Sequence, residues 1–227
     1  MNGLQRNIIC DSSALISLSD TCNIWVLKFL AGQGIKFFIT PAVKLEIVAR
    51  PLAIRKYAFS AVRLQKNILD GTLELITSNS LHGRTAQVMG AANNLLSAGR
   101  KPLALIQDGE AECLAIFSSA SAHALLIDEK TTRLLVENPQ RLRESIEAEH
   151  DEKISENRER LAQLSEITRG ITCMRSCELL AYAYNKGFFD EYGQKKQEAF
   201  RAAIYSLREA GCGMTSAEIA EYEKMDF

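Results

Sequence analysis

Four carboxylates in this chain stand where an acid needs a reason. Asp11 directly follows the apolar run Ile8-Ile9-Cys10, and Asp128 follows Ala124-Leu125-Leu126-Ile127. Each lies at the C-terminal end of a segment that reads as a buried strand, the edge where parallel α/β sheets build their ligand sites. Glu46 shares a helical face with Ala42, Val43 and Ala49, and Glu110 lines up with Leu114 and Phe117. Both therefore occupy the first turns of helices on inward-facing sides. Buried, unpaired carboxylates are costly, so a cluster of them implies a cation. An all-oxygen donor set suits a hard ion, Mg²⁺ or Mn²⁺, which keeps several waters and takes one or two carboxylates directly. Such an ion activates water and offsets charge on a phosphodiester during in-line displacement. The acids alone would repel phosphate, so the expected chemistry is metal-dependent.

Each acid also has a plainer use. Asp11 and Asp128 can cap the helices that follow them. Glu110 can serve the N-terminal dipole of its helix, which leaves Asp108 or Glu112 as alternative working acids. Glu129, beside Asp128, is a further candidate ligand. Ser12 and Ser13 are helix caps first and contacts to substrate or metal-bound water second. Arg133 is a candidate phosphate contact or a surface ion-pair former. Cys173 and Cys177 are four apart, but no second pair follows and His82, His123 and His150 are scattered, so no zinc site is expected. There is no Ser/His/Asp or Cys/His arrangement and no Gly-x-x-x-x-Gly-Lys phosphate loop.

The elements that must carry these acids alternate. A strand at Ile8–Cys10 leads into a helix from about Ser13 to Phe29, with a break near Thr21 to Asn23. A second strand, Lys36–Thr40, leads into a helix opened by Pro41, a favoured first position for proline. A further helix spans about 54–69 and a short strand 73–76. Residues 80–107 are less regular, with a helix over about 85–97 and a loop at Gly99–Pro102. A helix from Asp108 to about Ala120 then precedes the strand 124–127, and Lys130–Glu137 is helical with Pro139 ending it. Alternation of this kind implies a parallel sheet with right-handed crossovers. Residues 140–168 change character: Arg and Glu are dense and apolar positions sparse, as in one or two exposed helices or a protruding hairpin. From 171 to 227 a short strand (171–173) and helices over about 177–186, 190–210 and 215–224 complete the chain. The expected architecture is a single domain over 1–227: an α/β fold with a parallel β-sheet sandwiched by helices, a charged helical insertion and a helical C-terminus.

Bulk properties narrow the class. The chain has 227 residues, 47% apolar and 24% charged, with a formal net charge of -1. This is ordinary globular composition and argues against wholesale coating of nucleic acid, while leaving open binding through a local basic strip. The N-terminus lacks the pattern of a signal peptide and no apolar run reaches membrane-spanning length. Six cysteines lie scattered, several in apolar segments, which reads as reduced core thiols in a cytoplasmic protein.

The pattern resembles the PIN domain, a nuclease family common among toxins of bacterial and archaeal toxin–antitoxin pairs, the VapC-like ribonucleases. The features that carry the likeness are Ile8-Ile9-Cys10-Asp11-Ser12-Ser13, the helix start from Pro41 to Glu46, Gly109-Glu110-Ala111-Glu112, and Leu126-Ile127-Asp128-Glu129-Lys130 with Arg133. Leu179-Leu180-Ala181 through Gly187, then Leu207-Arg208-Glu209-Ala210-Gly211 and a final helix, is similar to the C-terminus of one subgroup. The likeness leaves out roughly 140–168, and Thr172–Cys177 stands in place of an expected glycine-containing turn. The resemblance implies a Rossmann-like three-layer fold and a metal-dependent endoribonuclease. In that reading Asp11, Glu46, Glu110 and Asp128 hold Mg²⁺ or Mn²⁺. It also implies an RNA substrate, a protein antitoxin and a homodimer. Other readings are a non-catalytic PIN-like interaction module and a nuclease acting on DNA in mobile-element or phage defence. A phosphotransfer receiver would want a phosphoacceptor Asp after a third strand and a late Lys, and neither is present.

Overall fold

The computed structural model describes residues 6–150 and 152–224. In chain order the elements are β1 (Arg6–Cys10), α1 (Ser12–Asp20), α2 (Trp25–Ala31), β2 (Ile35–Ile39) and α3 (Pro41–Lys44). A π turn over Leu45–Ala49 joins α3 to α4 (Arg50–Leu52), followed by α5 (Arg55–Leu69), β3 (Leu73–Leu75) and α6 (Leu81–Ala92). Then come β4 (Leu96–Ala98), β5 (Lys101–Pro102), α7 (Asp108–Ile116), β6 (Ala124–Leu126), α8 (Lys130–Glu137) and α9 (Pro139–His150). The chain closes with β7 (Ile154–Glu156), α10 (Arg158–Ile167), β8 (Cys173–Met174), α11 (Ser176–Tyr184), a 3₁₀ segment Asp190–Lys195, α12 (Lys196–Glu209) and α13 (Ser216–Lys224).

The central sheet has the order β3-β2-β1-β6-β8, and every neighbouring pair is parallel. Its inner strands are short and almost wholly apolar because both faces are covered. Helices α1, α2, α5 and α11 pack on one another, as do α6, α7 and α10, giving the layers on either side. The register pairs Cys10 of β1 with Leu126 of β6, and the Asp11 N–H donates to the Leu126 carbonyl at 2.9 Å. The two strand-end acids, Asp11 and Asp128, are thereby set side by side at the C-terminal edge.

Local chemistry explains the boundaries. The expected break in the first helix falls at Cys22, which adopts a positive φ of 61° between α1 and α2. Thr40, fully buried, caps α3 through its Oγ1 and Pro41 takes the first helical position. Thr215 and Glu218 cap α13 reciprocally, each side chain accepting from the other's backbone N–H. α8 stops at Glu137 as expected: Asn138, ahead of Pro139, lies outside the helical region (φ −157°, ψ 79°), and the proline takes the first position of α9.

Four expectations are corrected. The helix expected over 85–97 lies at Leu81–Ala92, and the loop at Gly99–Pro102 is part of a β4–β5 hairpin turned by Gly99 at φ 58°. The helix expected over 190–210 begins only at Lys196, after a 3₁₀ stretch interrupted at Gly193 (φ 53°, ψ −125°). Most consequential, residues 140–168 do not protrude. Between α9 and α10 they supply β7, which pairs antiparallel with β4 in a second sheet of order β5-β4-β7, and α10 packs against α6. The few apolar residues suffice to dock it: Leu142, Ile154 and Leu164 all join the main core, which extends from Ile8 to Tyr222.

Among the described residues no single helix is long and apolar enough to cross a membrane. Helices α1 and α2 together have the length and composition, but they are bent by 112° and bury Leu15, Leu18, Leu27 and Leu30 in the core.

Docking of the charged segment is open to test. Truncating Leu164 to Ala is expected to cost about 2–5 kcal/mol, the range for a buried leucine, read as a lowered urea midpoint. A loss within about 0.5 kcal/mol would instead mark a solvated appendage.

Candidate active site

The site is built from the ends of β1 and β6 and the starts of two helices. Asp11 is completely buried. Its Oδ2 accepts from the Ser13 backbone N–H at 2.9 Å and from the Ser13 hydroxyl at 2.6 Å, so it caps α1. Its Oδ1 is buried with no hydrogen-bond partner. Cys10 and Cys113 lie behind it, both fully buried, and the Cys113 thiol donates to the Cys10 carbonyl at 3.8 Å. Burial first, and the Asp11 charge second, push both thiols up, so they form a neutral, weakly polar backing.

Burial also pushes the Asp11 carboxyl up to about 7; the Ser13 hydroxyl opposes this, while the nearby Glu110 and Glu46 charges add to it. Glu110 is raised as well, by partial burial and then by Glu46 and Glu129, against stabilising backbone N–H groups. Glu110 reaches back to accept from the Gln107 N–H at 3.0 Å, which fixes it over the first turn of α7. Glu46 arrives from the π turn, an uncommon helical feature that recurs at functional sites. Its carboxylate rests on Gly109: a Cβ there would fall 2.6 and 2.8 Å from the two Glu46 oxygens. The glycine of the Gly-Glu-Ala-Glu segment is thus a cradle for the acid of another helix, placing Glu46 at the positive end of α7.

Ser13 is the junction of the site. Besides donating to Asp11, its hydroxyl accepts from the backbone N–H groups of Asp128 (3.0 Å) and Glu129 (3.2 Å). It therefore locks the end of β6 to the start of α1, and its oxygen is fully engaged. Asp128 is buried and both its oxygens face α11, Oδ1 accepting from the Ser176 N–H at 2.8 Å and Oδ2 from the Ser176 hydroxyl at 2.7 Å. Glu129 caps α8, accepting from Thr131 N–H (2.7 Å) and Thr132 N–H (2.5 Å). Glu112 accepts from the Ala42 N–H at 2.8 Å and so ties α7 to the start of α3. Arg133 pairs with Glu137 at 3.6 Å.

The structure therefore brings Asp11, Glu46 and Glu110 into mutual electrostatic range, with Glu129 beside Glu110. Asp128 stands next to Asp11 along the sheet edge, with its carboxylate turned to Ser176. The part of Ser176 was missed in the sequence; the unusual Thr172–Cys177 segment was its only signal. Ser12 makes no side-chain hydrogen bond among the described residues.

Among the described residues no three His, Cys, Asp or Glu side chains converge into a ready-made ion cage. Three like charges hold one another apart, and a small hard cation asks for only one or two direct carboxylates with water completing the shell. The donor set fits such an ion on other grounds. All its members are oxygens, one buried carboxylate oxygen lacks a partner, and Gly109 leaves room for the carboxylate that faces it.

An α/β fold with a carboxylate cluster at the C-terminal edge of a parallel sheet defines the class of protein. Residues 7–140 match the family model described as PIN domain, and the chain belongs to that family. PIN domains are generally nucleases and typically use divalent metals. Neither a curated protein nor a solved structure matches the chain.

Two measurements probe this geometry. Gly109→Ala displaces only the end of the flexible Glu46 side chain, so the fold is retained. Calorimetric Mn²⁺ affinity is expected to fall about 10–100-fold, as when ligand positioning is disturbed. The second concerns pH. Asp11 titrates near 7 in the folded chain and near about 3.9 when unfolded. Between these values the folded chain holds a proton that the unfolded chain has released. In chelator, stability therefore declines as pH rises from about 4 to about 7. Asp11→Asn removes that slope in thermal melts. Mn²⁺ at pH 7.5 raises the melting temperature of the wild type and not of the variant.

Proposed function

We propose that this PIN domain is a Mg²⁺- or Mn²⁺-dependent endoribonuclease of the toxin type, hydrolysing phosphodiester bonds in RNA. The observation that carries the reading is the unpartnered, buried Oδ1 of Asp11 facing the charges of Glu110 and Glu46. Asp11, Glu46 and Glu110 would hold the cation, with Asp128 and Glu129 at the rim. A bound divalent cation would supply charge neutralisation at the phosphodiester and an acidified water. The chain's own residues do the rest. Ser13 holds Asp11 in one rotamer, Gln107 holds Glu110, and Gly109 seats Glu46.

Substrate would be steadied on the β6 side of the edge. A groove of about 590 Å³ there is lined by Lys130, Arg133 and Arg141, with Glu137 and Glu218 among them, and by Gly213 and Thr215. Gly213 lies against the Asp128 carbonyl, so these cations stand beside the acids without filling them. Arg133 is the phosphate contact in this reading. The toxin role brings with it a protein antitoxin and a homodimer. The outer face of α5 supports a protein partner: Tyr57, Phe59 and Val62 are exposed there, and the helix carries Arg55, Lys56, Arg63 and Lys66 with no acid.

The deciding experiment is cleavage of labelled single-stranded RNA and DNA with Mn²⁺, Mg²⁺ or EDTA, with the Asp11→Asn protein alongside. Metal-dependent cutting of RNA, absent in the variant and in EDTA, is the expected result. Cutting of DNA alone would move the assignment to the DNA nuclease. Absence of both cutting and calorimetric Mn²⁺ binding would make the domain an interaction module.

A further inference from the structure

A second groove, of about 680 Å³, opens on the other side of the acids. It lies where β2 and β3 end, between the start of α3, the segment after β3, and the starts of α6 and α7. Leu45 on its wall immediately precedes Glu46, and Asp108 immediately precedes Gly109 and Glu110, so groove and site share walls. The groove by α8 lies on the other side of the same sheet edge, where Gly213 meets the Asp128 carbonyl.

The two grooves differ in chemistry. The α8 groove presents three cations against two carboxylates, Glu137 and Glu218, whereas the α3/α6/α7 groove has carboxylates and no lysine or arginine. Its polar groups are Thr77, Ser78, Asn79, His82 and Thr85 on one side and the carboxylates Asp108 and Glu112 on the other; Pro41, Leu45 and Met89 are among its apolar lining. Glu112 is already engaged by the Ala42 N–H. Asp108 is exposed and makes no hydrogen bond or ion pair among the described residues. A phosphate would be repelled here, while the flat apolar face of a base would be accepted. A carboxylate at a base edge takes a hydrogen bond from an exocyclic amine, as acids do with the cytosine amino group, and finds no donor of that kind on uracil.

We propose that this groove is a base-recognition subsite: it receives one unpaired nucleobase bearing an exocyclic amino group, next to the scissile phosphodiester. Asp108 accepts from the amine, and Asn79 and His82 read the remaining edge. The proposal rests on the nuclease reading above and adds to it which bases flank the cut. Single strands are the substrate class it selects, because a base must leave its stack to enter.

The test separates binding from chemistry. Fluorescence anisotropy with the Asp11→Asn protein measures affinity for labelled short oligomers of cytidine, adenosine or uridine. Cytidine or adenosine oligomers are expected to bind roughly tenfold or more tightly than uridine ones, the scale of one good base-edge pairing. Adding Asn79→Ala with His82→Ala, both exposed positions, should remove most of that preference. Asp108→Asn, whose amide also donates, should shift preference toward uridine. Equal affinity for all oligomers, or preference unmoved by these changes, overturns the subsite. Hydrolysis of bis(p-nitrophenyl) phosphate by wild-type protein is the control that ignores the groove. Hydrolysis retained while base preference is absent overturns the subsite alone. No hydrolysis, no RNA cleavage and no oligomer binding overturn both readings.

Discussion

A carboxylate held in a dry place is the constraint on which the rest of this structure turns. Asp11 is wholly buried, yet only one of its oxygens is served, by Ser13. An ionised group so placed is tolerable only if something else compensates it or if it keeps its proton. The surroundings leave both routes open and no third. Neutral thiols back it, two more acids face it, and no lysine, arginine or histidine forms an ion pair with it among the described residues. A structural salt bridge would have been the simple solution, and its absence around Asp11 sets this acid apart from Glu218, which Arg175 holds at 2.8 Å.

The other elements act as braces for that carboxylate. Parallel pairing of β1 with β6 brings the second strand-end acid alongside. The Ser13 hydroxyl fastens the two strand ends together, and Ser176 fastens Asp128 to α11. Glu112 draws the start of α3 to α7, which is what delivers Glu46 to Gly109. Two of the donors, the backbone N–H groups of Ala42 and Ser176, come from helix starts, where such groups are free to donate.

Much of this was legible in the residues. The apolar runs ending in Asp11 and Asp128 declared a parallel sheet and its functional edge, because no other arrangement buries Ile8–Cys10 and Ala124–Leu126 on both faces. Helical phase put Glu46 and Glu110 on inward-facing sides, and both are partly buried; Glu112 is partly buried as well, its carboxylate held by the Ala42 N–H. What phase could not show was what the acids would touch. Ser176 is 48 residues from Asp128, and a hydroxyl three residues beyond Cys173 carries no periodic signal. Seating of Glu46 on Gly109 depends on a π turn, which no apolar pattern announces. The charged segment misled because density of Arg and Glu reports the solvent face only; three well-placed apolar residues, Leu142, Ile154 and Leu164, decided its inward one. Strands β4 and β7 were missed because each is three residues long, too short for alternation to register.

The pairing of β4 with β7 has a bearing on how the chain assembles. Ser97 lies opposite Ser155, so β4 is made well before its partner emerges, and until then one of its edges is open. The family match ends at residue 140, short of β7, β8 and Ser176. A chain stopped at that point would carry the clustered acids but leave a bare strand edge and an Asp128 without the Ser176 donors. The segment beyond residue 140 therefore does two jobs at once: it closes the open edge of β4 and supplies the donors that let Asp128 stay buried.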